Sequence, residues 1–206
     1  MLLAATVFLF VALGISPKTD RLTWLMENFP VMFGVPILLF TYGRFPLTPL
    51  AYRLIFLHAL ILMVGGHYSY AQVPLGHWIR RTWGLSRNHY DRLGHFAQGF
   101  VPAVLVREFL ARKSPLHSGA LMNFLVVSVC LAISACYEFI EWWTALASGE
   151  AATAFLGTQG DPWDTQWDMF LALAGATISV ALLSRVHDRQ LARIFATKPR
   201  SHEDLQ

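Results

Sequence analysis

Charge is what this chain has least of. Asp, Glu, Lys and Arg together make up 14% of its 206 residues, where soluble domains carry roughly 25%. Hydrophobic residues reach 55% and the mean hydropathy is +0.44. A soluble core cannot hide that much apolar surface in so short a chain, whereas a bilayer can. Charge of one sign is also scarce. The formal net charge is +3, with the bases spread among the connections, which excludes a nucleic-acid surface built from clustered bases and aromatics. Such loops suit anionic lipid headgroups, and membrane lipids are the expected partners. Only two cysteines occur, Cys130 and Cys136. Their spacing of six places them on different faces of one apolar helix, so they read as small core residues rather than a disulfide.

Familiar catalytic motifs are absent too. The sequence has no H-E-x-x-H, no C-x-x-C, and no paired His-rich boxes of the membrane di-iron type. Gly84-Leu85-Ser86-Arg87 has a superficial likeness to an intramembrane serine protease motif, but it lies in a polar segment rather than opening a helix. No His follows Ser86-Arg87 at the distance a phosphatase would need. There is no internal repeat and no low-complexity tract.

What is present is long apolar blocks, at residues 1–16, 24–42, 50–70, 91–111, 120–147 and 165–186. A helix needs about 20 residues to cross the hydrocarbon, so the expected fold is an all-α polytopic transmembrane bundle of about six helices. The first block has neither a basic leader nor a small-x-small cleavage site, and reads as a short helix rather than a removed signal peptide. Pro30 and Pro36 are expected to kink the second. Polar segments run from Ala71 to Tyr90 and from Ser148 to Pro162, and residues 187–206 form a polar tail.

Lys and Arg set the expected orientation. The tail holds Arg185, Arg189, Arg193, Lys198 and Arg200, and the connection after the fourth block holds Arg107, Arg112 and Lys113. Both ends of the chain are therefore expected in the cytoplasm. Lys18 and Arg21 argue weakly the other way. Arg80, Arg81, Arg87 and Arg92 fall on the opposite side and break the rule, so they should either grip an anionic headgroup or pair with acids.

Alternation of six helices carries a further consequence whatever the orientation. The end of the third helix, the start of the fourth, the end of the fifth and the start of the sixth must share one membrane face. Six of the thirteen acids lie there: Asp91, Glu138, Glu141, Asp161, Asp164 and Asp168. Asp91, His95 and Gln98 follow a helical stripe, Glu138 and Glu141 share a face, and so do Asp164 and Asp168. Like charges so placed repel unless a proton, a cation or a base sits between them. Ionisable groups near a bilayer centre cost at least ~2.5–3.5 kcal/mol each, and so mark function.

Simpler explanations cover part of this. Asp161-Pro162-x-Asp164 has the pattern of a helix cap, Asp91 could be another, and the Trp and Tyr residues form an interfacial belt. Arg107, Glu108, Arg112 and Lys113 look like a solvated helix end containing an i, i+4 pair, and His58 like a hydrogen-bonded packing residue. Capping does not cover Asp168, Glu138 or His95. The candidate catalytic groups are accordingly Asp91, His95, Glu138, Glu141 and Asp168. Asp91, His95, Glu138 and Asp168 are the candidate ligands for a divalent metal such as Mg, Mn, Fe or Zn. Arg80, Arg81, Arg87, Arg92, His67, Tyr70, Gln98, Asp161 and Asp164 are candidate substrate-binding residues.

Four stretches carry a family resemblance: Gly66-His67-Tyr68-Ser69-Tyr70, Arg87 through Phe96, Tyr137-Glu138-Phe139-Ile140-Glu141-Trp142, and Gly160 through Met169. On these the chain resembles the YjdF-type bacterial inner-membrane family, an uncharacterised domain family, along most of its length. More distantly, Asp91 to Phe96 and Asp168 with Gly175 are similar to VanZ-like membrane proteins, which are linked to glycopeptide resistance and the cell envelope. The resemblance implies an inner-membrane location without naming a reaction. Three functions stay open from the residues: a metal-assisted site on a lipid or envelope headgroup, a proton- or cation-coupled transporter, and a non-catalytic membrane scaffold. The apolar lower halves of the last three helices count against a transporter.

Overall fold

A computed structural model describes residues 1–148 and 158–197. Among them are seven α-helices and no strand: α1 (Leu2–Ile15), α2 (Arg21–Thr41), α3 (Pro49–Tyr68), α4 (Pro74–Trp83), α5 (Tyr90–Lys113), α6 (Ala120–Ser148) and α7 (Asp164–Thr197). Four of them, α2, α3, α6 and α7, are long and apolar enough to cross a membrane. The 24 residues of α5 give it about 36 Å; its charges gather at its two ends, and it runs through the middle of the bundle. With 14 residues, α1 reaches only about 21 Å. The protein is a polytopic helical bundle, and large apolar side chains such as Phe8, Phe40, Phe124 and Leu182 point outward.

Local chemistry sets the helix starts. Asp20 accepts from the backbone of Thr23 at 2.9 Å and its hydroxyl at 2.6 Å, capping α2. Burial works against that carboxylate, but the hydrogen bonds from Thr23, with those from the Leu22 and Asp20 backbone, together outweigh it and lower its pKa. Thr48 caps α3, with Pro49 in the first turn. The segment expected to be a polar connection contains α4, which ends at Gly84 with φ +63°, a left-handed cap suited to glycine. Pro30 and Pro36 both lie inside α2.

The tightest seam joins α5 and α7. A Cβ on Gly99 would run into the backbone of Ala172, and one on Gly175 into the backbone of Phe96 and Phe100. Small residues permit this approach, which is how helices gain contact where lipid supplies no hydrophobic drive. Beside the seam, Ala103, Met122, Val126, Cys130 and Ala176 tie α5, α6 and α7 together. The cysteines lie on different faces as their spacing requires, but only Cys130 is a core residue as expected, while Cys136 is exposed. A second core of Val31, Ala59 and Met63 packs with Leu9, Phe10 and Leu13, joining α1 to α2 and α3.

Two expectations need correction. The sixth apolar block does not end as helix at 186; α7 continues through Thr197, so the start of the expected tail is helical, and residues 198–206 lie outside the described residues. The longer helix also changes the far end of α5, which is not solvated. Glu108 is wholly buried and Arg107 nearly so. Glu108 accepts from Thr48 N (3.0 Å) and Oγ1 (2.7 Å), from Arg112 (2.8 Å) and from His187 Nε2 (3.1 Å). Arg107 pairs with Asp188 at 2.7 Å and bonds Ser118 at 2.9 Å. The i, i+4 pair of Glu108 and Arg112 forms, but inside a lock that α7 closes.

The seam yields a stability test. Gly99→Val forces α5 and α7 apart and should cost about 3 kcal/mol or more, at the upper end of overpacking. Thermal unfolding in detergent should show a large loss, whereas Gly119→Val, at a glycine with no atom near its Cβ position, should unfold close to wild type.

Candidate functional site

One face of the bundle gathers the chain's tryptophans. All seven sit at helix ends that meet there: Trp24 early in α2, Trp78 and Trp83 on α4, Trp142 and Trp143 late in α6, Trp163 just before α7 and Trp167 in its first turn. Six of them are exposed, as an interfacial belt requires. Behind this belt lie the acids.

Arg87 organises the rim. Its guanidinium makes a very short contact with Asp164, lies 3.4 Å from Asp161 and 3.7 Å from Asp91, and is buried. Burial opposes its charge, yet Asp164, then Asp91 and Asp161, more than offset this and raise its pKa above the ordinary value. Arg92 reaches Asp161 at 2.7 Å and covers the Trp167 ring at 5.1 Å. Burial, then Arg92 and Arg87, lower the pKa of His89, so its neutral Nδ1 accepts from Arg92 at 3.3 Å. Asp161 and Asp164 are thus arginine partners as well as helix-start residues; Asp161 also accepts from Trp163 N at 3.0 Å. The N-cap position of α5 is His89, with Asp91 in the first turn.

Below the rim, His95 is the hub. Gln98 Oε1 lies 3.0 Å from its Nδ1, so Nδ1 carries the hydrogen and Nε2 faces the other way. Nε2 meets Asp91 at 3.4 Å and Asp168 at 3.8 Å, and Glu138 stands 3.8 Å from Nδ1. These carboxylates come from α5, α6 and α7, so the sequence-predicted convergence of those helices is met. Donor atoms of Asp91, His95 and Asp168 lie within 4.8 Å of one another, and all three residues are buried. Ligands at about 2.1 Å from one ion stand about 3–4.2 Å apart, so modest movement would close the set on a cation. Oδ1 of Asp168 and Oε1 of Glu138 are buried with no hydrogen-bond partner among the described residues, which an anionic group tolerates only beside a cation or proton.

The remaining candidates separate. Glu141 lines a cavity together with Asp91, His95, Gln98 and Tyr70. Tyr70 is pinned between Gly65 and Gly94, where a Cβ on either would strike its ring. His67 holds α1 instead: Nδ1 donates to Leu13 O at 2.9 Å, while its carbonyl accepts from Lys18 and Thr19. Arg80 and Arg81 lie exposed on α4.

Three residues here escaped the reading of the sequence. Glu27, buried in α2, lines the same cavity; its signal was visible as the one acid inside that apolar block. Asn88 is wholly buried, donates to Ala71 O and Val73 O at 3.0 Å each, and accepts from Tyr90 N. Gln159 brackets the backbone of Asn88 at 3.0 and 2.9 Å. Apart from the Tyr90 N–H, the partners of Asn88 and Gln159 lie elsewhere in the chain, so little local pattern marks those two.

Residues 1–189 match the family described as "Predicted membrane protein (DUF2238)". The chain belongs to this family. It is also 59% identical over 180 residues to inner membrane protein YjdF of Escherichia coli strain K12, covering 87% of this chain and 86% of that protein. No solved structure matches. The family and the apolar helices together make this a multi-pass inner-membrane protein, in agreement with the YjdF-type resemblance.

Removing Arg87 should expose what it neutralises. Arg87→Ala leaves Asp164 and Asp91 buried without their partner and should destabilise the fold by about 3–5 kcal/mol. Arg87→Lys keeps the charge but loses the planar fork, and should fall between the two. Chemical unfolding in detergent distinguishes the three proteins.

Proposed function

We propose that Asp91, His95, Asp168 and Glu138 form a metal-assisted site that binds or acts on a lipid or cell-envelope headgroup at the membrane interface. One observation carries the reading: the Nε2 of His95 faces the buried carboxylates of Asp91 and Asp168, at 3.4 and 3.8 Å, and Asp168 keeps an unpartnered oxygen, as does Glu138 on the Nδ1 side of the ring. That space calls for positive charge, and Asp, Glu and His together suit Mg, Mn, Fe(II) or Zn. A divalent ion there would polarise a phosphoryl or ester oxygen and make a bound water nucleophilic at neutral pH. Gln98 fixes the imidazole, as the outer partners of metal-bound histidines do. With Arg87 and Arg92 engaged by carboxylates, Arg80 and Arg81 on α4 are the free-standing candidates to hold an anionic headgroup, flanked by Trp78 and Trp83.

A proton-relay transporter has less support. Such a relay needs polar groups stepping across the bilayer. Between Gln98 and the far rim, the cavity wall offers His58 and Thr6 among mostly aliphatic side chains, and the Thr6 hydroxyl is bound to Leu2 O at 3.0 Å. A pure scaffold would leave no orphaned acid oxygens beside a histidine.

Elemental analysis of the detergent-purified protein tests the reading. Wild type should carry about one divalent metal per chain, and a variant with Asp91, His95, Glu138 and Asp168 all changed to Ala should carry none. No metal in wild type, even after dialysis against Mg and Mn, would leave His95 as an imidazolium held by its acids and would remove the proposal.

A further inference from the structure

A cavity of about 1050 Å³ runs from the acidic site between α1, α2 and α3 on one side and α5 and α6 on the other. It borders α2 from Glu27 to Leu39, α3 from Pro49 to Leu62, and α5 from Asp91 to Leu105, or about 20 Å along each at 1.5 Å per residue. Half of a hydrocarbon core is about 15 Å, so the channel is long enough for a whole lipid chain. Its volume stands at the top of the range of about 300–1,000 Å³ for small-molecule pockets. The middle of the wall is aliphatic, with Val31, Val35, Leu38, Leu62, Val101 and Leu105. Gly34 and Pro30 keep the α2 wall thin.

The polar end of this channel adds two acids to the metal candidates Asp91 and His95, which also line it. Glu27 and Glu141 both line it; Asp91 and His95 act electrostatically on Glu27, and Glu138 and His95 on Glu141, with no hydrogen bond or ion pair from either carboxylate among the described residues. Glu27 is more than nine-tenths buried. A buried carboxylate without a partner is costly unless a ligand supplies a cation or donors. The nearby bases are already engaged: Arg87 and Arg92 by Asp161 and Asp164, His95 by Asp91 and Gln98.

We propose that this channel holds one hydrocarbon chain of an amine-bearing phospholipid, with the headgroup ammonium received by Glu27 and Glu141. The charge at the mouth selects a headgroup that carries an ammonium beside its phosphate over one that carries the phosphate without it, and the aliphatic wall selects the chain. The inference rests on the reading above for what the metal site would meet, namely the phosphate of the same headgroup, beside Asp91 and His95. Chain and ammonium binding depend on other residues and can be measured separately.

The probe is phosphatidylethanolamine carrying a photoactivatable diazirine in one acyl chain, with the matched phosphatidylglycerol as comparison. Both are tested on the full chain in nanodiscs, with and without EDTA. Phosphatidylethanolamine should label α2 and α3 peptides at least fivefold more than phosphatidylglycerol, whether or not EDTA is present. The isosteric variant Glu27→Gln/Glu141→Gln should erase that preference. Gly34→Phe, at a position with no atom within 4 Å of its Cβ site, should block labelling by both lipids. Equal labelling by the two lipids, a preference retained without the carboxylates, or full labelling of Gly34→Phe would each overturn the proposal. A preserved preference in a protein that binds no metal would support the lipid channel while removing the metal site; metal binding with equal labelling would do the reverse.

Discussion

The backbone contact between α5 and α7 is the constraint on which the polar architecture depends. Gly99 and Gly175 let the two helices touch without side chains between them, and every major buried charge lies near one end of that seam. At one end Arg87 meets Asp164, and His95 meets Asp168. At the other, Glu108 meets His187, and Arg107 meets Asp188. Salt bridges in low dielectric are worth having only when their geometry is held closely, and a seam of glycines holds it.

The two ends serve different purposes. In the far lock, Glu108 is surrounded by donors from Thr48, Arg112 and His187. A group so fully satisfied has no capacity left for a ligand, and its role is to fasten α3, α5 and α7. At the tryptophan-lined face the rim acids pair with Arg87 and Arg92. Deeper in, Asp168 and Glu138 keep unpartnered oxygens, and Glu27 and Glu141 line the polar end of a largely apolar channel. The two clusters differ in their acids: Asp168 and Glu138 keep unpartnered oxygens, whereas the Glu108 carboxylate is fully bonded, and this difference singles out the first cluster as the candidate ligand site.

Much of this was legible in the sequence because it follows from periodicity and alternation. Apolar block lengths give the bundle, and alternating direction brings Asp91, Glu138, Asp164 and Asp168 to one face without knowledge of packing. The arginines that break the charge rule are also explained in part, since Arg87 and Arg92 are neutralised by acids rather than exposed to it. What escaped has a different origin. The buried state of Glu108 depends on α7 continuing past 186, where hydropathy falls although the helix does not end. Asn88 and Gln159 act through backbone groups distant in sequence, which no local pattern encodes. Glu27 was open to view but lies on a helix outside the four that alternation brings together, so its place at the site emerges only when α2 packs beside α5.

The central claim is that the Nε2 of His95 faces a cation held with Asp91 and Asp168. Electron–nuclear double resonance on the purified protein loaded with Mn(II) tests it most directly. The account predicts coupling to a single imidazole nitrogen, lost in His95→Gln while the helical circular dichroism is unchanged. Mn(II) bound without nitrogen coupling, or coupling that survives His95→Gln, would contradict it.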